Sequence, residues 1–284
     1  MLSPPINIIM IKFMDMIKNY NKVRYAQATC YLLVLWALIF NFSWTLLLVG
    51  LALGWTLFLI GLGVSLHKYC SHRALEPRNN VIQHLLLYLG TLCTLGTPLE
   101  FAAGHRTHHK YSDTDQDPFV LTDSIWNNIK VWFLWVDTTK INARIIIDLM
   151  RDPTIKFYHN NYWKIWLPLP IILLLINPVI LAYCFALPVV YVLLGMSYVT
   201  VIAHSKWCQR MFGVEGVHGQ NNKSWNSMLF TVLFPGEGHH ESHHHNPGER
   251  NYSRINGRWD FGSSVADMFS KYGKSKYGKS ALTE

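Results

Sequence analysis

Residues 25–66 read YAQATCYLLVLWALIFNFSWTLLLVGLALGWTLFLIGLGVSL, 42 positions without an Asp, Glu, Lys or Arg. A hydrocarbon core about 30 Å thick is crossed by about 20 helical residues at ~1.5 Å each. The stretch is therefore twice what one crossing needs, and Asn41-Phe42-Ser43 near its middle supplies a turn. It reads as a hairpin of two membrane helices, roughly 25–40 and 44–66, the first starting nearer Lys22 if it is to cross fully. Residues 165–203 repeat the pattern, with 39 uncharged positions and a turn at Asn177-Pro178. They predict helices at roughly 163–176 and 179–203, in which Pro168, Pro170 and Pro188 mark kinks of the kind membrane helices tolerate.

The composition of the 284 residues agrees with this reading. Charged residues are 15%, hydrophobic residues 50% and mean hydropathy is +0.14. Soluble domains carry about 25% charge, so a soluble fold is excluded, as are disordered and disulfide-scaffold classes. The net charge is +8. Every Lys and Arg lies outside the two uncharged stretches, which places both termini and the central segment on the cytosolic side. The expected fold is an all-α integral membrane protein, with four transmembrane helices as two hairpins and a cytosolic helical cap.

As one domain, 1–284 divides into an interfacial segment at 1–24, hairpin 25–66, a cytosolic and interfacial segment at 67–162, hairpin 163–203, a cytosolic segment at 204–270 and a basic tail at 271–284. Residues 80–104 and 125–150 are expected as helices on the membrane surface. The five cysteines show no CxxC spacing and read as reduced structural thiols.

Fourteen histidines are concentrated next to the predicted helix ends. His67 and His72 follow the second span. His105, His108 and His109 form one HxxHH, and His240, His243 and His244 form another. On an α-helix at about 100° per residue, positions i, i+3 and i+4 share a face, so each HxxHH presents its imidazoles together. His67 and His72, five apart, diverge by about 140° on an α-helix and so reach different points or different metals. His204 follows the fourth span and joins the set. His84, His159 and His218 read as surface residues, and His239 and His245 fall off the third group's face. Imidazole suits Zn, Cu, Fe or Ni, and eight or nine imidazoles exceed what one four-coordinate ion takes. Two ions sharing the cluster is the simpler account, and spacing does not choose the metal. Asp113, Asp115 and Asp117 are candidates to accept from ligand imidazoles. Arg73, Arg78, Arg106, Lys110, Arg144 and Arg151 are candidates to attract an anionic headgroup.

The sequence resembles the membrane fatty-acid desaturases, in particular the acyl-CoA Δ9-desaturase-like branch. The resemblance rests on His67-Lys-Tyr-Cys-Ser-His72, on His105-Arg-Thr-His108-His109 followed by Asp113-Thr-Asp-Gln-Asp-Pro118, on Gly96-Thr-Pro-Leu-Glu100, and on Gly236-Glu-Gly-His-His240-Glu-Ser-His243-His244. It covers about residues 30–270. It implies a non-haem di-iron centre with His67, His72, His105, His108, His109, His240, His243 and His244 as ligands, and His204 matching a further family histidine. It also implies O2 and two electrons as co-reactants, and a cis double bond placed in a saturated acyl chain on CoA or a lipid. The chain departs from the family pattern at His239, Glu241 and Thr200, where an aromatic residue, an Asn and a water-holding Asn are usual. Thr200 and Glu241 are therefore carried as residues next to the ligands. With no haem or iron–sulfur cysteine pattern in the chain, electrons are expected from a separate donor such as cytochrome b5 or ferredoxin. Membrane lipid is a partner and nucleic acid is not. The expected location is the endoplasmic reticulum in a eukaryote or the inner membrane in a bacterium.

Two other enzyme readings compete. A membrane di-iron hydroxylase shares the first hydrogen abstraction. A membrane zinc protease would use His240-Glu241-Ser242-His243-His244 as HExxH, with Glu241 as base. It leaves the other two boxes unexplained. A metal-binding scaffold or transporter would want polar groups inside the spans, and the uncharged stretches offer few.

Overall fold

The computed structural model describes residues 18–119, 136–214 and 223–272. Among these residues it is helical, with isolated β-bridges such as Val214–Asn226 and Asn226–His239 and no strand. Residues 273–284 of the expected tail, His218, and much of the 1–24 and 125–150 segments lie outside the described residues.

Helix α1 (Lys18–Phe40) and helix α2 (Trp44–Ser71) are joined where the turn was read. Ser43 is extended and its hydroxyl accepts the Leu46 N–H, which starts α2. Tyr183 ties the turn down from elsewhere in the fold. Its hydroxyl accepts from the Ser43 N–H at 3.3 Å and lies 3.3 Å from the Asn41 carbonyl. The Asn177-Pro178 turn also holds: Asn177 is extended, its side chain caps the Val179 N–H, and Pro178 opens α7 (Pro178–His204).

Three helices are long and apolar enough to cross a membrane: Lys22–Phe40, Trp44–Ser71 and Pro178–His204. The fourth expected span differs. Helix α6 (Tyr162–Ile176) is a shorter apolar helix, because Asn161 interrupts the chain before it and Asn177 ends it. At about 1.5 Å per residue it is roughly 22 Å long, less than a ~30 Å hydrocarbon core. Its Leu174, Leu175 and Ile176, like Leu32 and Ile39 of α1 and Leu48 of α2, are exposed. Such apolar faces suit lipid rather than water.

The first half of α2 packs closely against α7, and small residues permit it. A Cβ on Gly54 would stand 2.7 Å from Tyr191 Cβ, and one on Gly195 would overlap the Phe58 ring. The second half of α2, Phe58–Ser71, is π-helical and runs to the last residue before His72. The expected end at residue 66 is therefore too early, and His67 lies inside the helix.

The stretch read as one surface helix at 80–104 is two helices, and the second is buried. Helix α3 (Asn80–Leu92) ends before a break at 93–97. Helix α4 (Pro98–Tyr111) then starts with a capping box, in which the Thr97 hydroxyl accepts the Glu100 N–H and the Glu100 carboxylate accepts the Thr97 N–H. Buried against α2, α4 carries the second histidine box into the interior. The described part of 125–150 is short 3-10 turns at Thr138–Lys140 and Ala143–Ile146, not a helix. Asp152 caps α5 (Pro153–Asn160). After α7 come α8 (Lys206–Phe212), α9 (Met228–Leu233), α10 (His240–His245), α11 (Ser253–Asn256) and α12 (Phe261–Phe269). Helix α12 packs on the π-helical end of α2, which brings the third box beside the first.

Candidate metal centre

Among the described residues, nine imidazoles converge in two adjoining groups. His67, His72, His105, His109 and His243 form one, and His108, His204, His240 and His244 form the other; the candidate ligand atoms in each lie within 4.8 Å of one another. These are the nine histidines singled out from the sequence. His67, His72, His105, His108, His204, His240 and His243 are buried, and His109 and His244 are half-buried.

Helix geometry explains how each HxxHH is shared. On α4, His105 and His109 are one turn apart and enter the first group, while His108 reaches the second. On α10 the roles invert: His240 and His244 share the second group and His243 reaches the first. At about 100° per residue, i+4 lies about 40° to one side of i and i+3 about 60° to the other. One short helix thus serves two neighbouring centres.

His67 and His72 do not diverge as an α-helix would require. They sit in the same group. The His72 N–H donates to the His67 carbonyl at 3.1 Å, an i→i+5 bond that brings positions five apart to one face.

The facing ring nitrogens are close: 2.9 Å between Nε2 of His67 and His243, 2.8 Å between Nε2 of His72 and His105, and 2.9 Å between Nε2 of His204 and His240. Each such gap accommodates one proton at most, so at least one nitrogen of each pair presents a lone pair. Nδ1 of His72, Nε2 of His108 and Nδ1 of His240 are buried with no partner among the described residues. Burial first, and the neighbouring imidazoles second, hold His72, His105, His109, His240, His243 and His244 well below the ordinary histidine range. A cluster of neutral, convergent imidazoles with orphaned nitrogens fits soft-to-borderline cations and little else.

Four of the outward nitrogens are held by polar side chains. The Nδ1 of His108 lies 2.8 Å from Asp117 Oδ2 and that of His204 3.1 Å from Asp113 Oδ2. Asp113 sits at φ +60°, and the Lys223 N–H donates to its Oδ2 at 2.7 Å. Burial, the largest single influence, raises the Asp113 carboxyl, but the bond and charge of His204, the Lys223 N–H and His108 together outweigh it and hold the carboxyl below the usual carboxylate range. Two further partners were not foreseen. Glu237, buried, lies 2.5 Å from His67 Nδ1, and the Tyr252 hydroxyl lies 2.9 Å from His243 Nδ1. Glu237 stands three residues before His240 in the quoted third box, a signal available in the sequence; Tyr252 had none.

Three expected neighbours have other partners or face solvent. Asp115 is exposed on the turn between its two partners. The Thr200 hydroxyl donates to the Met196 carbonyl one turn back at 2.8 Å. Glu241 accepts from Asn226 at 3.1 Å and belongs to neither imidazole group, while His240 and His244 share theirs with His108 and His204. The zinc protease reading leaves His108 and His204 of that group without a role. Of the bystanders, His239 is buried and bonded to the Trp259 carbonyl and Asn256, His245 is exposed, His84 meets Tyr158, and His159 meets Thr97.

Arg106 is likewise spent inside the fold. Its guanidinium donates to both Asp148 oxygens at 2.6 and 3.0 Å, to the Ser71 carbonyl at 2.5 Å and to the Ile145 carbonyl at 2.8 Å. It clamps the end of α2 to α4 and does not face a headgroup. Arg73 and Arg78, with Lys271, line an open polar cleft of about 520 Å³ beside Tyr69 and Asp152.

The side of the cluster without polar caps is aromatic and aliphatic. Phe101 stacks on His105 at 5.7 Å and Phe119 meets His108 edge-on at 5.6 Å. Both rings border a small void with Leu95, Val136 and Met196, which Arg24 and Gln27 of α1 also line.

The sequence profile of the family described as fatty acid desaturase matches residues 42–254. Over 211 residues the chain is 28% identical to an sn-1 stearoyl-lipid 9-desaturase of Anabaena variabilis, covering 72% of this chain and 73% of the relative. It is 26% identical over 231 residues to a Δ9-fatty-acid desaturase of Caenorhabditis elegans, covering 74% and 63%. It is 24% identical over 192 residues to a probable acyl-CoA desaturase of Schizosaccharomyces pombe, covering 64% and 38%. The chain belongs to the fatty acid desaturase family, oxidoreductases that desaturate fatty acyl chains.

Proposed function

We propose that this member of the family is an O2-dependent Δ9 desaturase, which places a cis double bond in a saturated acyl chain carried on CoA or on a membrane lipid. The observation that carries the reading is the division of the three histidine boxes into two adjoining imidazole groups with one apolar wall. Two iron ions would be held by His67, His72, His105, His109 and His243 and by His108, His204, His240 and His244. When bound, they would supply the oxidant that removes two hydrogens, using O2 and two electrons.

The chain's own residues do the positioning. Asp117, Asp113, Glu237 and Tyr252 hold Nδ1 of His108, His204, His67 and His243, which fixes the orientation of those four rings and leaves their Nε2 for an ion. Phe101, Phe119, Leu95 and Met196 form the wall along which a methylene run can lie, and they keep water from the reacting carbon. No residue beyond the imidazoles is assigned a catalytic role. Electrons come from a separate protein, cytochrome b5 or a ferredoxin.

The four apolar helices pair as α1/α2 and α6/α7, with both termini and the histidines cytosolic. The uncharged stretches and the lipid-facing residues of α6 support this arrangement. The membrane is the endoplasmic reticulum in a eukaryote and the inner membrane in a bacterium.

The test is expression in a host lacking its own Δ9 activity, with double-bond mapping of its fatty acids and a His243→Ala control. New cis-Δ9 monoenes are expected from the unsubstituted chain alone. Feeding acyl-CoA to purified membranes, against labelled lipid, identifies the carrier. Absence of any new monoene, with the protein in the membrane and a donor supplied, overturns the reading. A hydroxy-acyl product without alkene replaces it with the hydroxylase reading.

A further inference from the structure

Residues 224–236 read SWNSMLFTVLFPG, 13 positions without an Asp, Glu, Lys or Arg. An apolar stretch of about 10–14 residues is too short to cross a bilayer and suits a re-entrant or interfacial segment. Its contacts trace a path down one spanning helix and back up another. On the way in it follows α7 away from the histidines. The Trp225 N–H donates to the Ala203 carbonyl at 3.2 Å, Phe230 stacks on Tyr198 at 4.1 Å, and the Leu233 carbonyl accepts from the Tyr191 hydroxyl at 2.5 Å. On the way out it follows α2 towards them. The Val232 carbonyl accepts from Trp55 Nε1 at 2.8 Å, Phe234 meets Phe58 at 5.3 Å, and Glu237 reaches His67. At about 1.5 Å per residue, Tyr191 lies roughly 18 Å along α7 from Ala203, and Trp55 roughly 16 Å along α2 from Trp44 at its far end. Both distances put Val232 and Leu233 inside a ~30 Å hydrocarbon core.

Two features fit a surrounding without water. A helix end leaves its last carbonyls unpaired, and in hydrocarbon they need partners from the protein. Here the side chains of Trp55 and Tyr191 reach the last carbonyls of α9. Leu229, Val232 and Leu233 are nevertheless exposed, and they continue the exposed apolar surface of Leu53 on α2 and Leu194 on α7. We propose that residues 225–237 form a re-entrant hairpin. It enters the membrane from the histidine side, turns within the hydrocarbon, and presents Leu229, Val232 and Leu233 to the acyl chains of that leaflet. This takes the stretch out of the 204–270 segment read as cytosolic, and it is independent of the desaturase reading. The returning limb carries Glu237 and then His240, so the bilayer helps to set the height of the third box against the first.

The experiment places nitroxide labels on the full-length protein in lipid bilayers. Cys184 and Cys208, the two cysteines that are not buried, are first changed to alanine. Labels then go on Leu229→Cys and Leu233→Cys, on Leu48→Cys as the lipid-facing reference, and on Asp115→Cys as the water-facing one. Relaxation by dissolved oxygen and by a water-soluble nickel chelate is measured at each. Both α9 labels are expected to match Leu48, with oxygen the stronger relaxant, whereas Asp115 should favour the chelate. Leu229 and Leu233 are one turn apart on one face, so the Leu233 label is expected to lie deeper by up to about 6 Å. All these side chains are exposed, and Val232→Cys replaces either α9 position if one variant fails to insert. Labels that match Asp115 overturn the proposal, because the face then meets water. Labels hidden from both relaxants also overturn it, because a protein partner or a second copy then covers the face. Lipid contact at equal depth describes a helix lying flat at the surface, and overturns the re-entry.

Discussion

Glu237 offers the sharpest test of how the centre is held. It is 3% exposed and 2.5 Å from His67 Nδ1, so the ring N–H donates to a buried carboxylate. Hydrogen bonds to charged groups contribute about 1.5–3 kcal/mol and neutral ones about 1 kcal/mol. Glu237→Gln keeps an acceptor and the side-chain length and gives up only the charge, so it should cost about 1 kcal/mol, or about fivefold in metal affinity. Glu237→Leu leaves a buried N–H unsatisfied as well. It should cost about 2–3 kcal/mol, or roughly 30- to 160-fold, at or above the upper end of the about 10- to 100-fold found when such supporting groups are removed from metal sites. The loss should be confined to the group containing His67. In the other group His108 and His204 are held by Asp117 and Asp113 instead, and that group should keep its ion. Titration of the purified protein with a competing chelator, read as metal per chain, measures this. The Leu variant should fall from two ions toward one at chelator concentrations that leave the original protein loaded. Retention of both ions at the original affinity would refute the assigned role, and loss of both together would refute the independence of the two groups.

Three further outcomes follow from the packing. Arg106→Lys removes the planar fork that reaches Asp148 and two carbonyls at once; breaking such a buried cluster costs about 3 kcal/mol, so a melting point close to the original would contradict the clamp. Gly195→Ala should destabilise the α2–α7 contact by about 1–3 kcal/mol, because its Cβ overlaps the Phe58 ring; at Gly63 an added Cβ stands in ordinary contact, 3.4 Å from the Pro235 carbonyl, so equal loss of melting temperature from Gly63→Ala and Gly195→Ala would point away from sterics. In metal-free protein, six cluster imidazoles are held neutral when folded but titrate near about 6.5 when unfolded. The unfolded chain then binds more protons as pH falls below about 6.5, and stability drops by up to ~1.4 kcal/mol per imidazole per pH unit. Melting curves at about pH 7.5 and 5.5, on either side of that value, check it, and coincident curves would show that the rings are not buried neutral.

Much of the membrane part was legible because charge is binary: a lipid-facing residue is almost never Asp, Glu, Lys or Arg, so two long uncharged stretches mark where lipid is. Helix length was less legible. The uncharged stretch begins at Ile165, but α6 runs only from Tyr162 to Ile176, and the absence of charge does not report where Asn161 and Asn177 break the backbone. The division between α3 and α4 was present in the sequence as Thr97-Pro98-Leu99-Glu100, a capping box with proline at the first helical position. Read for hydrophobicity alone, the same residues passed as continuous helix.

The site shows the same contrast between local pattern and long-range partner. Which histidines gather was visible in their spacing, because i, i+3 and i+4 are fixed by the helix itself. What holds them was not: Glu237 meets His67 across 170 positions and Asp113 meets His204 across 91. The first box misled for a subtler reason. A five-residue spacing is awkward on an α-helix, where His72 would point about 140° away from His67. The Phe58–Ser71 backbone hydrogen-bonds at i→i+5 instead, and Ser71 Oγ adds a bond to the Leu66 carbonyl at 2.8 Å. That bonding widens each turn beyond the α-helical 3.6 residues, so positions five apart diverge by less than on an α-helix, and His67 and His72 fall in the same imidazole group. The spacing that argued for two destinations on an α-helix is therefore one that a π-helix allows for a single destination.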